Sequence, residues 1–188
     1  AVLYPSLAAL PVPFQPVHLL FINLLTDSLP ALAIGMEPAE RDVLSEKPRN
    51  PKGGILERRF MALLLGQGAL IAVCTMISFE VGLKESAALA STMAFATLTL
   101  ARLFHGFNCR SRHSIVKIGF RRNWYSLGAF ALGVLLLALV LFVPALKPLF
   151  EVETMNGMQL GCVGVMAVLP TFVIQNFKVV REVFDREK

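Results

Sequence analysis

Five long apolar runs constrain this sequence more than any other feature. They cover residues 17–36, 60–81, 87–107, 124–143 and 158–177. A helix needs about 20 mostly apolar residues to cross the hydrocarbon core of a bilayer. The composition agrees, because only 16% of the 188 residues are charged, against about 25% in soluble domains. The sequence therefore predicts an all-α membrane protein, a bundle of five transmembrane helices.

The basic residues lie in alternate gaps between these runs. Residues 37–59 hold six Lys or Arg, residues 108–123 hold five, residues 178–188 hold four, and residues 1–16 hold none. Cytoplasmic segments of membrane proteins are enriched in Lys and Arg. The pattern predicts a cytoplasmic C-terminus and explains the net charge of +5 without a nucleic-acid partner. A soluble helical bundle fits neither the run lengths nor this alternation.

The predicted organisation follows from these two patterns. Residues 1–16 are expected to be the end of a preceding helix and an external turn. Residues 17–36 form a transmembrane helix, residues 37–59 a cytoplasmic loop, residues 60–177 four further transmembrane helices, and residues 178–188 a cytoplasmic tail. With no initiating Met and no signal peptide, the chain is expected to be a C-terminal fragment of a longer protein.

Three polar residues interrupt the first run. Asn23, Thr26 and Asp27 are spaced i, i+3 and i+4 and share one helix face. A carboxylate near the bilayer centre costs about 3 kcal/mol or more, so it marks a functional candidate. Pro30 follows and loosens the helix there. The alternative for Asn23 and Thr26 is that they only hold helices together by hydrogen bonds.

The oxygen atoms of this face suit a hard cation. Carboxylate, amide and hydroxyl oxygens bind Ca²⁺, Mg²⁺ or Na⁺ rather than Cu or Zn. Ca²⁺ takes about 6–8 oxygens, and this face offers about four. A calcium site here would need ligands from further helices.

The stretch "INLLTDSLPALAIGMEPAERDVLSEKPR" (residues 22–49) resembles the sixth transmembrane helix and following cytoplasmic loop of P-type calcium ATPases. The residues that match the family pattern N-L-x-T-D-x-L-P-A are Asn23, Leu24, Thr26, Asp27, Leu29, Pro30 and Ala31. The other four runs then resemble helices seven to ten. The resemblance implies part of an ATP-driven pump that exports Ca²⁺ from the cytoplasm, with H⁺ as the expected counter-ion, in a bacterial plasma membrane.

The resemblance also assigns roles to particular residues. It implies that Asn23 and Asp27 ligate Ca²⁺, with Thr26 a weaker third, and that residues 37–59 form a coupling loop. ATP and Mg²⁺ would act only through a phosphorylation domain missing from this sequence, and an upstream helix would complete the ion site. The expected partners are therefore the lipid bilayer and the upstream part of the same pump.

Arg102 departs from the family pattern. In the family that this sequence resembles, an acidic or amide residue stands at this position and serves one of two calcium sites. A guanidinium is always charged and cannot ligate a cation. Directed inward, Arg102 would occupy the second ion site and pair with Asp27, leaving one Ca²⁺ per ATP. The alternative is that Arg102 extends to the cytoplasmic interface, about two turns away.

Two other functions also fit the sequence. One is a secondary transporter or channel without ATP coupling, and the other is a P-type pump for Mn²⁺, which also takes oxygen ligands, or for another cation. Among the remaining polar residues, His18 and His105 are expected to be structural. Thr97 and Thr99 are expected to bond back to their own helix.

Overall fold

The computed structural model describes residues 2–26, 28–38, 58–111, 113–119 and 122–186, without the side chains of residues 25, 26, 59, 185 and 186. The helices are α1 (Leu3–Leu7), α2 (Pro16–Phe21), a π-helix (Ile22–Thr26), α3 (Ser28–Gly35), α4 (Arg58–Leu83), α5 (Ala87–Cys109), α6 (Ile115–Ile118), α7 (Trp124–Phe142), α8 (Lys147–Phe150) and α9 (Gly157–Arg186).

The described residues contain five helical stretches long and apolar enough to cross a membrane. They are Pro16–Gly35, Phe60–Leu83, Ala87–Cys109, Trp124–Phe142 and Gly157–Phe184. These stretches confirm the predicted fold class, an all-α membrane bundle with five candidate spans. The first of them, called the composite span below, consists of α2, the π-helix and α3.

Helix α5 is the centre of the bundle. Within its most apolar stretch 67% of the residues are buried, whereas the share in the other four spans lies between 22% and 28%. Small residues make this possible, since Ala90, Ala94, Ala96 and Ala101 are each fully buried and let neighbouring helices approach closely. The core cluster joins α5 to the composite span, α4, α7 and α9.

The loops at the two ends of the bundle are tied together by hydrogen bonds. At the end of the bundle away from the Lys- and Arg-rich segments, called the opposite end, Ser86 Oγ donates to Glu153 Oε2 at 2.9 Å. At the other, called the basic end because it holds the Lys- and Arg-rich segments, Lys178 Nζ donates to the carbonyls of Asn108 and Ser111, both at 2.7 Å. A Lys there satisfies carbonyls that the end of α5 leaves without a helical partner.

A second contact at the basic end holds α9 to the short helix α6. Glu182 Oε2 accepts a hydrogen bond from Ser114 Oγ at 2.8 Å, and its Oε1 accepts one from the Ser114 backbone N–H at 2.6 Å. Ser114 is itself the N-cap of α6. These bonds fix the turn between α5 and α7 against α9.

One prediction about the buried hydroxyls is wrong. Thr97 Oγ1 donates to Ser78 Oγ on α4 at 2.8 Å, not to a carbonyl of its own helix. The fully buried hydroxyl of Thr99 has no hydrogen-bond partner among the described residues. The close approach of α4 and α5 brings Ser78 within reach of Thr97, and this approach is not visible in the sequence.

That close approach depends on Gly82. A Cβ built at Gly82 would lie 2.6 Å from the Cα of Ala90 and 2.9 Å from its backbone nitrogen. Backbone atoms cannot rotate away, so α4 and α5 would have to separate to admit a methyl group.

We therefore expect Gly82→Ala to lower the free energy of unfolding by about 1–3 kcal/mol, as overpacking does. Thermal unfolding of the detergent-solubilised protein measures the change. Gly128→Ala in α7 is the control, because a Cβ there meets nothing within 4 Å and alanine favours the helix. Equal melting temperatures for the two variants would contradict this account.

Candidate ion-binding site

The composite span is not one continuous α-helix. Helix α2 ends at Phe21, a π-helix covers Ile22–Thr26, and α3 begins at Ser28. Short π-helical segments are rare and are often found at functional sites. Pro30 lies in the first turn of α3 and lacks an N–H, so it cannot donate the bond a regular helix would make there. The irregular backbone thus includes Asn23 and Thr26, two of the three residues predicted to bind the ion.

Asn23 lies in the π-helix with an exposed side chain. Its neighbour Leu24 is 67% exposed, whereas Phe21 and Ile22 are buried at 4% and 1%. The π-helix therefore packs one face against the core and presents Asn23 on the other. Asp27 and the side chain of Thr26 lie outside the described residues, so the predicted grouping of the three stays a prediction.

Arg102 lies on α5, seven residues before the last residue of that helix, Cys109, and is half-buried. Gly106 follows it at i+4, so the two share a face of the helix. A Cβ at Gly106 would lie 3.4 Å from Pro30 Cβ. The face of α5 that carries Arg102 is thus the face that meets α3. The pairing of Arg102 with Asp27 stays a prediction, because Asp27 is outside the described residues.

His18 holds the composite span at the opposite end. Its side chain is fully buried and stacks on Phe95 of α5, with ring centroids 4.3 Å apart. Nδ1 accepts the Gln15 N–H at 3.2 Å, which leaves Nε2 protonated to donate to the Phe150 carbonyl at 2.7 Å. Both ring nitrogens are satisfied, as expected for a structural histidine. His105 also has a partner, the Asn108 side chain at 3.2 Å.

A buried ion pair holds the composite span at the basic end. Glu37, two residues after α3, accepts two hydrogen bonds from Arg110, which follows α5. Arg110 Nε donates to Oε2 at 2.8 Å and Nη2 donates to Oε1 at 3.0 Å. The Arg110 side chain is only 2% exposed and that of Glu37 11%. Two parallel bonds of this kind are strong and geometrically specific.

Asn123 completes this arrangement, which we call the Glu37 clamp (Glu37, Arg110 and Asn123). Asn123 Nδ2 donates to Glu37 Oε2 at 2.7 Å and to the Ala33 carbonyl at 2.8 Å. Its Oδ1 accepts the Ser126 N–H at 3.1 Å and so caps α7. One buried amide therefore connects the end of α3 to the start of α7.

The sequence prediction did not include the Glu37 clamp. By sequence pattern alone, Arg110 is one of the basic residues that set topology, and Glu37 is the first residue of a loop. Some signal was present, since a glutamate directly follows one apolar run and an Asn-Trp pair begins another. That Glu37, Arg110 and Asn123 meet is a consequence of how α3, α5 and α7 pack.

Glu37 lies outside the spans, and its surroundings change its acidity. Burial raises the pKa of the carboxyl, but hydrogen bonds from Arg110 and Asn123 and the charges of Arg110 and Arg122 lower it by more. The pKa of Glu37 is therefore below its ordinary value in the folded protein.

Comparison with known proteins gives one family match and several similar proteins. Residues 11–180 match the family described as cation transporting ATPase, C-terminus. The calcium-transporting ATPase of Bacillus subtilis (strain 168) is 39% identical over 175 residues, which cover 92% of this chain and 20% of that protein. Calcium-transporting ATPase 1 of Lactococcus lactis subsp. lactis is 38% identical over 176 residues, covering 93% and 20%.

A mammalian protein is also similar. The calcium-transporting ATPase type 2C member 2 of Rattus norvegicus is 33% identical over 158 residues, which cover 80% of this chain and 16% of that protein. The chain spans about a fifth of the length of the bacterial relatives it matches.

The lowered pKa makes the contribution of Glu37 to stability depend on pH. A carboxyl with a folded-state pKa below its unfolded value stabilises the fold above the unfolded pKa, and the effect is lost as pH falls through the folded pKa. We expect wild type to melt above Glu37→Gln at about pH 7, and the gap to close as pH falls well below the ordinary glutamate pKa of about 4.3.

Thermal unfolding of both proteins across this pH range measures the gap. Glu151→Gln is the control, because Glu151 is exposed at the opposite end and this substitution should leave a small gap at every pH. A wild-type advantage over Glu37→Gln that is constant down to low pH would show that the carboxylate is not the stabilising group.

Proposed function

The chain belongs to the family of cation-transporting ATPases, whose C-terminal region it matches, and on this basis we propose that it forms part of an ATP-driven pump that exports Ca²⁺ from the cytoplasm. The observation that carries this proposal is the π-helical break at Ile22–Thr26. It lies in the middle of a span of bilayer length and includes Asn23 and Thr26, two of the residues that offer oxygen ligands. Irregular backbone at the membrane midplane is how many transporters build ion sites.

The proposed ligands are Asn23 and Asp27, with Thr26 a weaker third. The exposed position of Asn23 supports this assignment, because a face not covered by this bundle is open to ligands from other helices of a larger protein. Such ligands are needed, since Ca²⁺ takes about 6–8 oxygens.

Calcium is the preferred ion for two reasons. The oxygen donors suit a hard cation, and the relatives are named calcium-transporting ATPases. A pump for Mn²⁺ is the second candidate, favoured by the same oxygen donors. A secondary transporter or channel without ATP coupling is disfavoured by the family match over residues 11–180.

Arg102 is proposed to occupy the space of a second ion. Support comes from its half-buried position and from the face it shares with Gly106, which meets Pro30 of α3. An inward guanidinium beside Asp27 would offset part of the cost of burying both charges. The pump would then move one Ca²⁺ per ATP, with H⁺ carried in the opposite direction.

The proposed orientation places the basic end of the bundle in the cytoplasm. The Lys- and Arg-rich segments at that end support it. The protein would be an integral protein of a bacterial plasma membrane, with its C-terminus inside. ATP and Mg²⁺ would act through the rest of the pump, and the segment after Glu37 would couple the ion site to it.

The test uses the full-length protein in sealed vesicles, with ATP-dependent ⁴⁵Ca²⁺ uptake and phosphate release measured together. We expect uptake near one Ca²⁺ per ATP in wild type. Asp27→Asn should abolish uptake, because an amide supplies fewer and weaker oxygen donors than a carboxylate. Arg102→Glu should change the stoichiometry or the uptake rate, because it replaces the proposed counter-charge by a ligand.

Glu151→Gln is the matched control, a carboxylate-to-amide change at an exposed site that should leave uptake unchanged. A wild-type stoichiometry near two would overturn the role of Arg102. ATP hydrolysis driven by another cation, with no calcium uptake, would overturn the calcium assignment and leave the family membership intact.

A further inference from the structure

The composite span is fixed at both ends and irregular in the middle. At the opposite end, fully buried His18 bonds to the Phe150 carbonyl at 2.7 Å. At the basic end, the Glu37 clamp joins the end of α3 to α5 and α7. Between them lie the π-helix at Ile22–Thr26 and Pro30.

We propose that Glu37, held by Arg110 and Asn123, is a positioning residue that fixes the basic end of the ion-binding helix and thereby sets its affinity for the transported cation. This inference rests on the proposed function. Among the side chains that the structure describes, those of the clamp contact no proposed ion ligand, so the effect of the clamp would be transmitted along α3. A fixed end confines ligand-induced movement to the segment between the π-helix and Pro30.

The geometry of the clamp supports a positioning role. Asn123 binds both the Ala33 carbonyl, in the last turn of α3, and the Glu37 carboxylate. Rotation or sliding of α3 would therefore break bonds on two successive turns of chain. Arg122 adds a further attachment, since its Nη2 donates to the Pro38 carbonyl at 3.3 Å.

Glu37 and Pro38 lie where the chain leaves the ion-binding helix. Any shift of α3 along its axis would displace Glu37 and Pro38, and so the segment that follows them. The Arg110 charge is almost fully buried, which makes a loosened clamp costly, because a buried charge without its partner is strongly unfavourable. The clamp therefore favours one position of α3.

The test measures ATP hydrolysis by the full-length pump in detergent as free Ca²⁺ is varied. For Glu37→Gln we expect the Ca²⁺ concentration at half-maximal activity to rise about tenfold, a typical coupling between distant sites. The maximal rate should stay within about twofold of wild type. Arg110→Lys should also raise the Ca²⁺ concentration at half-maximal activity, because an ammonium cannot make the two parallel bonds.

The double variant Glu37→Gln with Arg110→Gln separates positioning from stability. It leaves no lone buried charge, so its melting temperature should recover relative to Glu37→Gln, while its calcium affinity should stay weak. Glu182→Gln is the matched control, since this glutamate accepts bonds from Ser114 at the same end of the bundle. Its half-maximal concentration should equal that of wild type.

The outcomes separate the two proposals. If wild type is active and Glu37→Gln has the same Ca²⁺ concentration at half-maximal activity, the positioning role is overturned. The proposal of a calcium pump is then unaffected. If the double variant recovers both its melting temperature and its calcium affinity, the clamp is purely structural. This result also overturns the positioning role. A wild type whose hydrolysis does not respond to Ca²⁺ overturns the calcium assignment, and with it a clamp that sets calcium affinity.

Discussion

A helix inside a bilayer has no water to satisfy the backbone groups that it leaves unpaired, and each such group costs several kcal/mol. The span Pro16–Gly35 nevertheless changes from α2 to a π-helix and then to α3. The rest of the structure accommodates this irregularity. Central helix α5 packs along it, with Phe95 against His18 and Gly106 against Pro30, and so shields the irregular turn on the core side.

The two attachments of this span differ in chemistry. His18 uses neutral hydrogen bonds and ring stacking, whereas the Glu37 clamp uses a buried ion pair with a bridging amide. An ion pair of this kind is geometrically specific, because leaving either charge alone is expensive. The attachment with the more specific geometry thus lies at the basic end, where the proposed pump would receive energy from ATP.

Much of the fold could be predicted from the sequence, because bilayer thickness fixes the length of an apolar run. Asn23 and Pro30 were likewise recognisable, since polar residues and proline inside such a run are rare. The Glu37 clamp and the Thr97–Ser78 bond were not predictable. Each depends on side chains far apart in sequence that meet only when α3, α4, α5 and α7 pack together. Local pattern carries no information about such meetings.

Asn23 and Asp27 are proposed to hold one calcium ion. Equilibrium ⁴⁵Ca²⁺ binding to the purified full-length protein, without ATP, tests it most directly, because binding does not require turnover or coupling. We expect about one bound Ca²⁺ per protein, lost in Asp27→Asn and retained in Glu151→Gln. Binding that is unaffected by Asp27→Asn would contradict it.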